Sequence, residues 1–318
     1  MDIIKENEIK ERLRDYYHNG GGNTFYLGFA GLGSLYSIKE GGCTDWSGLP
    51  GSGKTEVLLD CLKFCSRHYK HKHLIHMPDA GTVEEVIGKL IHKLSGKQFE
   101  KFYIDADGNQ VQIENRVTES DLEHYLPIVL EYFKILDPKK ENNSKALTPK
   151  EFWQFAVDNK KELGIFSGVI DSWNYMKHDV GALRYDQWLE DTLSFRNELA
   201  ERNNLHFHTI IHPKSGSKEK GKTLMPDMHD LKGGSEWANN GKSIIIIHRE
   251  FGSTVTDIKI NKAKPKIVGV QGVTALMYDI KQGAFYESKD GRKVFAEPKK
   301  VIQQYKPKEL TRSNDFEI

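Results

Sequence analysis

Short apolar blocks and amphipathic stretches alternate along the chain. HLIHM, FSGVID, HFHTIIH and SIIIIHR are apolar runs of strand length, and the ladders TDIKINKA, VTALMYDI and AFYES lie towards the C-terminal end. Between the earlier blocks the period becomes helical. Residues 4–17 form a helical start that stops at Gly20, Gly21 and Gly22. Thr148 and Glu151 bracket a capping box with Pro149 in the first turn, and RYDQWLEDTLSFRNELAERN places Trp188, Leu189, Leu193 and Leu199 on one face. Continuous apolar runs suit strands covered on both faces. The pattern therefore predicts an α/β fold: a mostly parallel central sheet flanked by helices, with antiparallel strands at the C-terminal end. DPKKENNSK reads as a solvated loop, and the chain beyond Tyr286 as a polar, loosely held tail.

Charge narrows the range of partners. Lys and Arg number 46 against 45 Asp and Glu, a net charge of +1, so a nucleic acid would have to be met by a local basic patch. No run approaches the ~18 apolar residues of a membrane span, and the start is charged where a secretory signal is apolar. No membrane partner is expected, and a cytoplasmic location is. Three cysteines fit a reducing compartment. Cys61 and Cys65 share a segment with His68, His71, His73 and His76, but they fall on the apolar face of a helix with Val57, Leu58 and Leu62. That placement predicts core thiols in preference to a metal site.

The stretch GLPGSGKT, residues 48–55, carries the most specific chemistry. Gly48, Gly51, Ser52 and Gly53 form a turn whose backbone N–H groups can close around a β-phosphate. Lys54 would reach the β- and γ-oxygens, and the Thr55 hydroxyl would be a Mg²⁺ ligand at a helix N-terminus. The expected ligands are ATP, or another nucleoside triphosphate, and Mg²⁺. Asp171 ends an apolar strand and is the candidate second metal ligand. His212 ends another and would meet the γ-phosphate at the mouth of the sheet. Directly after it, Lys214, Lys218, Lys220 and Lys222 face the single Glu219 in a loop of low periodicity, a candidate contact for a DNA backbone.

Taken in order, LGFAGLGSLYSIKEGG, GLPGSGKTEVL, VIDSWNYM, TIIHPK, DLKGGSEWANNGKSIIIIHR and DIKINKAKPKIVGVQGVTALMYDIKQGAFYE resemble the RecA-like ATPase domain of superfamily 4 ring helicases, the DnaB and Twinkle group, of phage or mobile-element type. The resemblance covers residues 24–287. It implies a linker helix over 1–22 that docks on a neighbouring subunit, an ATPase domain over 23–287 and a polar tail over 288–318. It further implies a homo-oligomer, a hexameric ring that hydrolyses nucleoside triphosphate between subunits and moves on single-stranded DNA. A primase would be a separate chain. Arg249 and Tyr278 match positions that flank the nucleotide base. The family's catalytic glutamate is matched by Asp79, or by His76 in a shifted alignment, and its arginine finger by Lys262 and Lys264. Lysine keeps the charge but loses the planar fork. Two other functions stay open at this level: a recombinase-like or regulatory DNA-binding ATPase without unwinding, and a nucleotide-binding assembly protein without hydrolysis.

Overall fold

The structure, a computed structural model, describes residues 5–19, 22–104, 108–137, 147–214, 218–219 and 222–297. At its centre is a ten-stranded sheet. In chain order its strands are β1 (Cys43–Ser47), β2 (Lys72–His76), β3 (Phe133–Ile135), β4 (Ile165–Asp171), β5 (His206–Ile211), β6 (Ser243–His248), β7 (Val255–Ala263), β8 (Gly272–Asp279), β9 (Ala284–Lys289) and β10 (Arg292–Phe295). Across the sheet they lie in the order β10-β9-β8-β7-β6-β1-β5-β4-β2-β3. The strands from β6 to β3 in that order are parallel, and β7 to β10 form an antiparallel meander.

The two-residue period of the strands feeds two separate cores. In β6, Ile245 and Ile247 enter one core and Ile244 and Ile246 the other. The first core is closed by α2 (Lys54–Tyr69), α3 (Val83–Ser95) and α4 (Glu119–Tyr132), through Leu58, Leu62, Leu90 and Val129. The second is closed by α5 (Pro149–Asp158), α6 (Tyr185–Asn203) and α7 (Gly234–Asn240), through Trp153, Trp188, Leu193 and Trp237. Cys61 and Cys65 are fully buried in the first core, as their helical face predicts. Among the described residues no helix is long and apolar enough to cross a membrane.

The starting helix, α1, spans Glu6–Asn19. Thr148 and Glu151 form the capping box, with Pro149 in the first turn. Three features lie outside the pattern reading. β3 is a three-residue strand continuous with the end of α4, too short to show a period of its own. The meander runs past residue 287, because β9 ends at Lys289 and β10 pairs with it. Glu287 accepts hydrogen bonds from the Ala30 and Gly31 backbone N–H groups at 2.9 and 2.6 Å, which ties this part of the expected tail to the domain. Finally, Lys218–Glu219 pairs with Lys222–Thr223 as a two-residue hairpin inside the expected irregular loop. Lys220 lies outside the described residues.

A buried ion pair holds β1 against α6. Asp45 and Arg196 are both fully buried; Arg196 Nη2 donates to Asp45 Oδ2 at 3.1 Å, and Nη1 to Asp45 Oδ1 at 2.5 Å. The guanidinium carbon sits 5.7 and 5.6 Å from the ring centres of Trp153 and Trp237. Burial pushes the Asp45 carboxyl up, against the pull of Arg196. Removing either partner would leave a buried charge, a loss of ~3–5 kcal/mol.

Candidate active site

Parallel strands open their loops at one edge, and the candidate residues collect there. β1 runs through residues 48–53 into α2, the strand–turn–helix arrangement that a phosphate loop requires. Backbone geometry demands its glycines. Gly48 has φ 153°, and a Cβ there would lie 2.0 Å from the Ile247 carbonyl oxygen; Gly53 has φ 93° at the start of α2. Ser52 is buried, with no partner for its hydroxyl among the described residues. Lys54 is buried, and its Nζ donates to the Gly48 and Leu49 carbonyls at 2.9 and 3.1 Å. Burial holds this ammonium below its ordinary pKa, while Asp171 and Asp79 oppose the shift. In this arrangement the lysine folds back on its own loop.

Thr55 Oγ1 donates to Asp171 Oδ2 at 2.6 Å. Asp171 is 1% exposed at the end of β4, and burial pushes its carboxyl up to about 6, with Asp79 adding to the rise. Asp79 follows the end of β2, and its backbone N–H donates to the Asp171 carbonyl at 3.2 Å. Its carboxylate accepts from His212 Nε2 at 2.9 Å. Thus Lys54, Thr55, Asp79, Asp171 and His212 are brought together from four separate parts of the chain.

His76 is not brought there. It is buried on the α5 side, 6.2 Å ring to ring from Phe152, and lines a cavity with Leu136 and Asp137. The geometry thus favours Asp79 over His76 for the acid beside His212. Arg249 follows β6, and its Nη2 donates to the Gly51 carbonyl at 2.6 Å, so it braces the phosphate loop. Tyr278 stands one ring removed: its ring centre is 4.9 Å from that of Phe285, whose ring would meet a Cβ on Gly53 at 3.2 Å. On its other side Lys93 Nζ lies 5.7 Å from the Tyr278 ring centre. Phe285, unmarked by any motif, therefore lies between Tyr278 and the loop. The Phe285 N–H donates to buried Asp60 at 2.7 Å, which anchors the meander to α2.

Lys262 and Lys264 lie at the opposite end of the sheet. β7 runs against β6, so Ala263 stands beside Ser243, at the start of the parallel strands. Lys262 Nζ donates to the Ala238 and Asn239 carbonyls at the C-terminal end of α7, where a cation is favoured. Lys264 is exposed. Lys214 is exposed two residues past His212, and its N–H donates to the Asp230 carbonyl at 2.8 Å. The side chains of Lys218 and Lys222 lie outside the described part of the structure. The Gly233–Gly234 turn before α7 is packed too closely for larger residues: a Cβ on Gly234 would lie 2.2 Å from the His229 carbonyl oxygen.

A strand, a glycine loop whose lysine caps it, and a threonine bonded to a strand-end aspartate define a P-loop nucleoside triphosphatase of RecA-like fold. No family model matches the chain. In sequence it is 24% identical over 305 residues to the Twinkle homolog protein, chloroplastic/mitochondrial, of Arabidopsis thaliana. That match takes in 91% of this chain, which spans 40% of the relative's length. Among solved structures, a stand-alone ATPase domain has a TM-score of 0.67 at 16% identity, covering 89% of this chain and 99% of that one. A DnaB-like replicative helicase, described with its interactions with primase, has a TM-score of 0.64 at 15% identity, covering 89% and 67%. The fold is that of DnaB-like helicase ATPase domains.

Proposed function

We propose that this chain is the motor of a replicative DNA helicase, a ring of its own copies that hydrolyses ATP and moves on single-stranded DNA. The observation that carries the reading is the convergence of Lys54, Thr55, Asp171, Asp79 and His212 at one sheet edge. The segment bearing Lys214, Lys218, Lys220 and Lys222 follows two residues later.

On this reading, the backbone N–H groups of residues 48–53 take the β-phosphate, and Lys54 exchanges the Gly48 and Leu49 carbonyls for phosphate oxygens. The donor set fits Mg²⁺: Asp171 is a buried carboxylate whose side-chain partner is a hydroxyl, and burial has raised it in the way that a cation would reverse. Thr55 and Asp171 would hold the ion, which supplies charge neutralisation along the phosphates. Asp79 orients and deprotonates the attacking water. His212 gives up Asp79 for the γ-phosphate and returns to it after phosphate leaves. Because the next residues belong to the basic hairpin, that exchange shifts the DNA-bound segment with nucleotide state.

Lys264 lies at the end of the sheet away from its own phosphate loop, so a role on a γ-phosphate requires a neighbouring copy. With Lys262 engaged on α7, Lys264 is the assigned finger. The exposed Leu13, Tyr16 and Tyr17 of α1 fit a helix that packs on that neighbour, and a primase would join as a separate partner.

The test combines three measurements on the full chain: ATP hydrolysis with and without single-stranded DNA, unwinding of a forked duplex, and electron microscopy with an ATP analogue and DNA. Rings, DNA-stimulated hydrolysis and unwinding are expected, with hydrolysis abolished in Lys54→Ala. Filaments without unwinding would replace the helicase by a recombinase-like protein, and an absence of hydrolysis by an assembly protein.

A further inference from the structure

At the end of the sheet away from the phosphate loop lies a cavity of about 170 Å³. That is far above the ~10–15 Å³ that admits one water. Its wall carries Lys39, Lys242 and Lys264, with Glu201 as the facing acid. None of these four side chains has an ion-pair partner among the described residues. Asp45, which acts on Lys262 behind the wall, is already neutralised by Arg196. Lys262 itself is held below its ordinary pKa first by burial and then by Lys264, with Lys242 acting in the same direction. Cations therefore crowd this edge without enough acid to balance them.

The floor is polar and preset. Tyr36, Cys43, His206 and Ser243 are each at most 2% exposed. The Tyr36 hydroxyl lies 2.6 Å from Thr44 Oγ1, which lies 2.8 Å from His206 Nε2, while His206 Nδ1 lies 2.7 Å from the Lys39 carbonyl. This chain of bonds fixes the backbone that carries Lys39. Beside the cavity the turn through Pro265 and Val268 exposes Ile267 and Val270, at 48% and 59%, an apolar rim suited to cover by a second copy.

We propose that this cavity is a binding site for a phosphoryl dianion, in which Lys39 and Lys242 act together with Lys264. Three ammonium groups facing one carboxylate leave a net charge of about +2, which a phosphoryl group matches, and each can donate to its oxygens. The group has two sources. One is the terminal phosphate of a nucleotide held by a neighbouring copy, which rests on the ring reading above; the other is free inorganic phosphate, which does not.

Two measurements separate these sources. In the first, inorganic phosphate is titrated into Lys54→Ala chains, whose own phosphate loop is disabled, at constant ionic strength, with ³¹P line broadening as the readout. Saturable broadening that disappears in Lys54→Ala/Lys242→Gln identifies a free-phosphate site. In the second, Lys242→Gln is expected to lower the ATP turnover number at least tenfold with KM within about twofold, Lys242→Arg to retain most activity, and mixing Lys242→Gln with Lys54→Ala chains to recover turnover. That result identifies the neighbour's nucleotide as the source. Lys242 is exposed, so the substitution tests charge and not folding. Unchanged turnover in Lys242→Gln together with absent or unaltered phosphate broadening would overturn the proposal. If the wild-type chain neither assembles nor hydrolyses ATP, the helicase reading fails while the phosphate titration still decides the cavity.

Discussion

Thr55 and Asp171 meet at 2.6 Å across 116 residues of sequence, and 133 residues separate His212 from Asp79, which it meets at 2.9 Å. The two pairs are joined through the backbone, because the Asp79 N–H donates to the Asp171 carbonyl. A change at the γ-phosphate position would be felt by both.

Asp79→Ala should lower ATP turnover by ~10²–10⁴-fold, the range of a lost general base, while nucleotide affinity stays within a few-fold of wild type. Asp79→Glu, one methylene longer, should retain or exceed wild-type turnover. Steady-state hydrolysis and nucleotide titration check both. Wild-type turnover in Asp79→Ala would move the base to another residue.

Mixing variants tests whether the site is shared. Lys264→Ala chains carry an intact Asp171, and Asp171→Asn chains an intact Lys264, so mixed assemblies contain interfaces with both. Each variant alone should be nearly inactive and the mixture measurably active. Loss that is merely additive would confine Lys264 to its own chain.

Replacing Lys214, Lys218, Lys220 and Lys222 with Ala should weaken binding of single-stranded DNA without regard to base sequence. The log–log slope of affinity against salt should flatten by roughly 0.7 for each phosphate that is no longer neutralised. Basal hydrolysis should persist, since Lys54, Thr55 and Asp171 are untouched, but DNA should no longer stimulate it. Equal slopes for wild type and variant would place the DNA-binding surface elsewhere.

His71 supplies a test of stability against pH. Its ring stacks on Phe166 with centres 3.7 Å apart, and burial lowers its pKa to about 4. The unfolded chain takes up a proton near pH 6.5 and the folded chain does not, so stability from this group is full above 6.5 and declines as pH falls towards 4. His71→Phe keeps the stacked ring and removes the titration. Between pH 7.5 and pH 5 the variant should gain on the order of 1 kcal/mol relative to wild type, given partial exposure. Urea midpoints at the two pH values measure this, and a constant difference would show that His71 is not the titrating group.

The sequence by itself determined the elements whose signals are local. The glycine loop before α2 is legible because a phosphate loop needs fixed residue types at fixed spacing, and Gly48 and Gly53 adopt the backbone angles that spacing implies. The strands ending at Asp171, Ile211 and His248 are legible because burial on both faces demands unbroken apolar runs. The capping box at Thr148 depends on two side chains three residues apart.

Only the tertiary structure decided which strand ends share an edge. Asp79 and His76 stand three residues apart with equal claims in the sequence, yet one meets His212 and the other turns towards Phe152, because side chains leave the strand on opposite faces. Lys262 and Lys264 look alike, but the end of α7 takes up Lys262 and leaves Lys264 at the cavity. Asp45 resembles any polar residue in a strand until Arg196 arrives from 151 positions away. Such pairings are set by strand order, and neither residue spacing nor hydrophobic period carries that information.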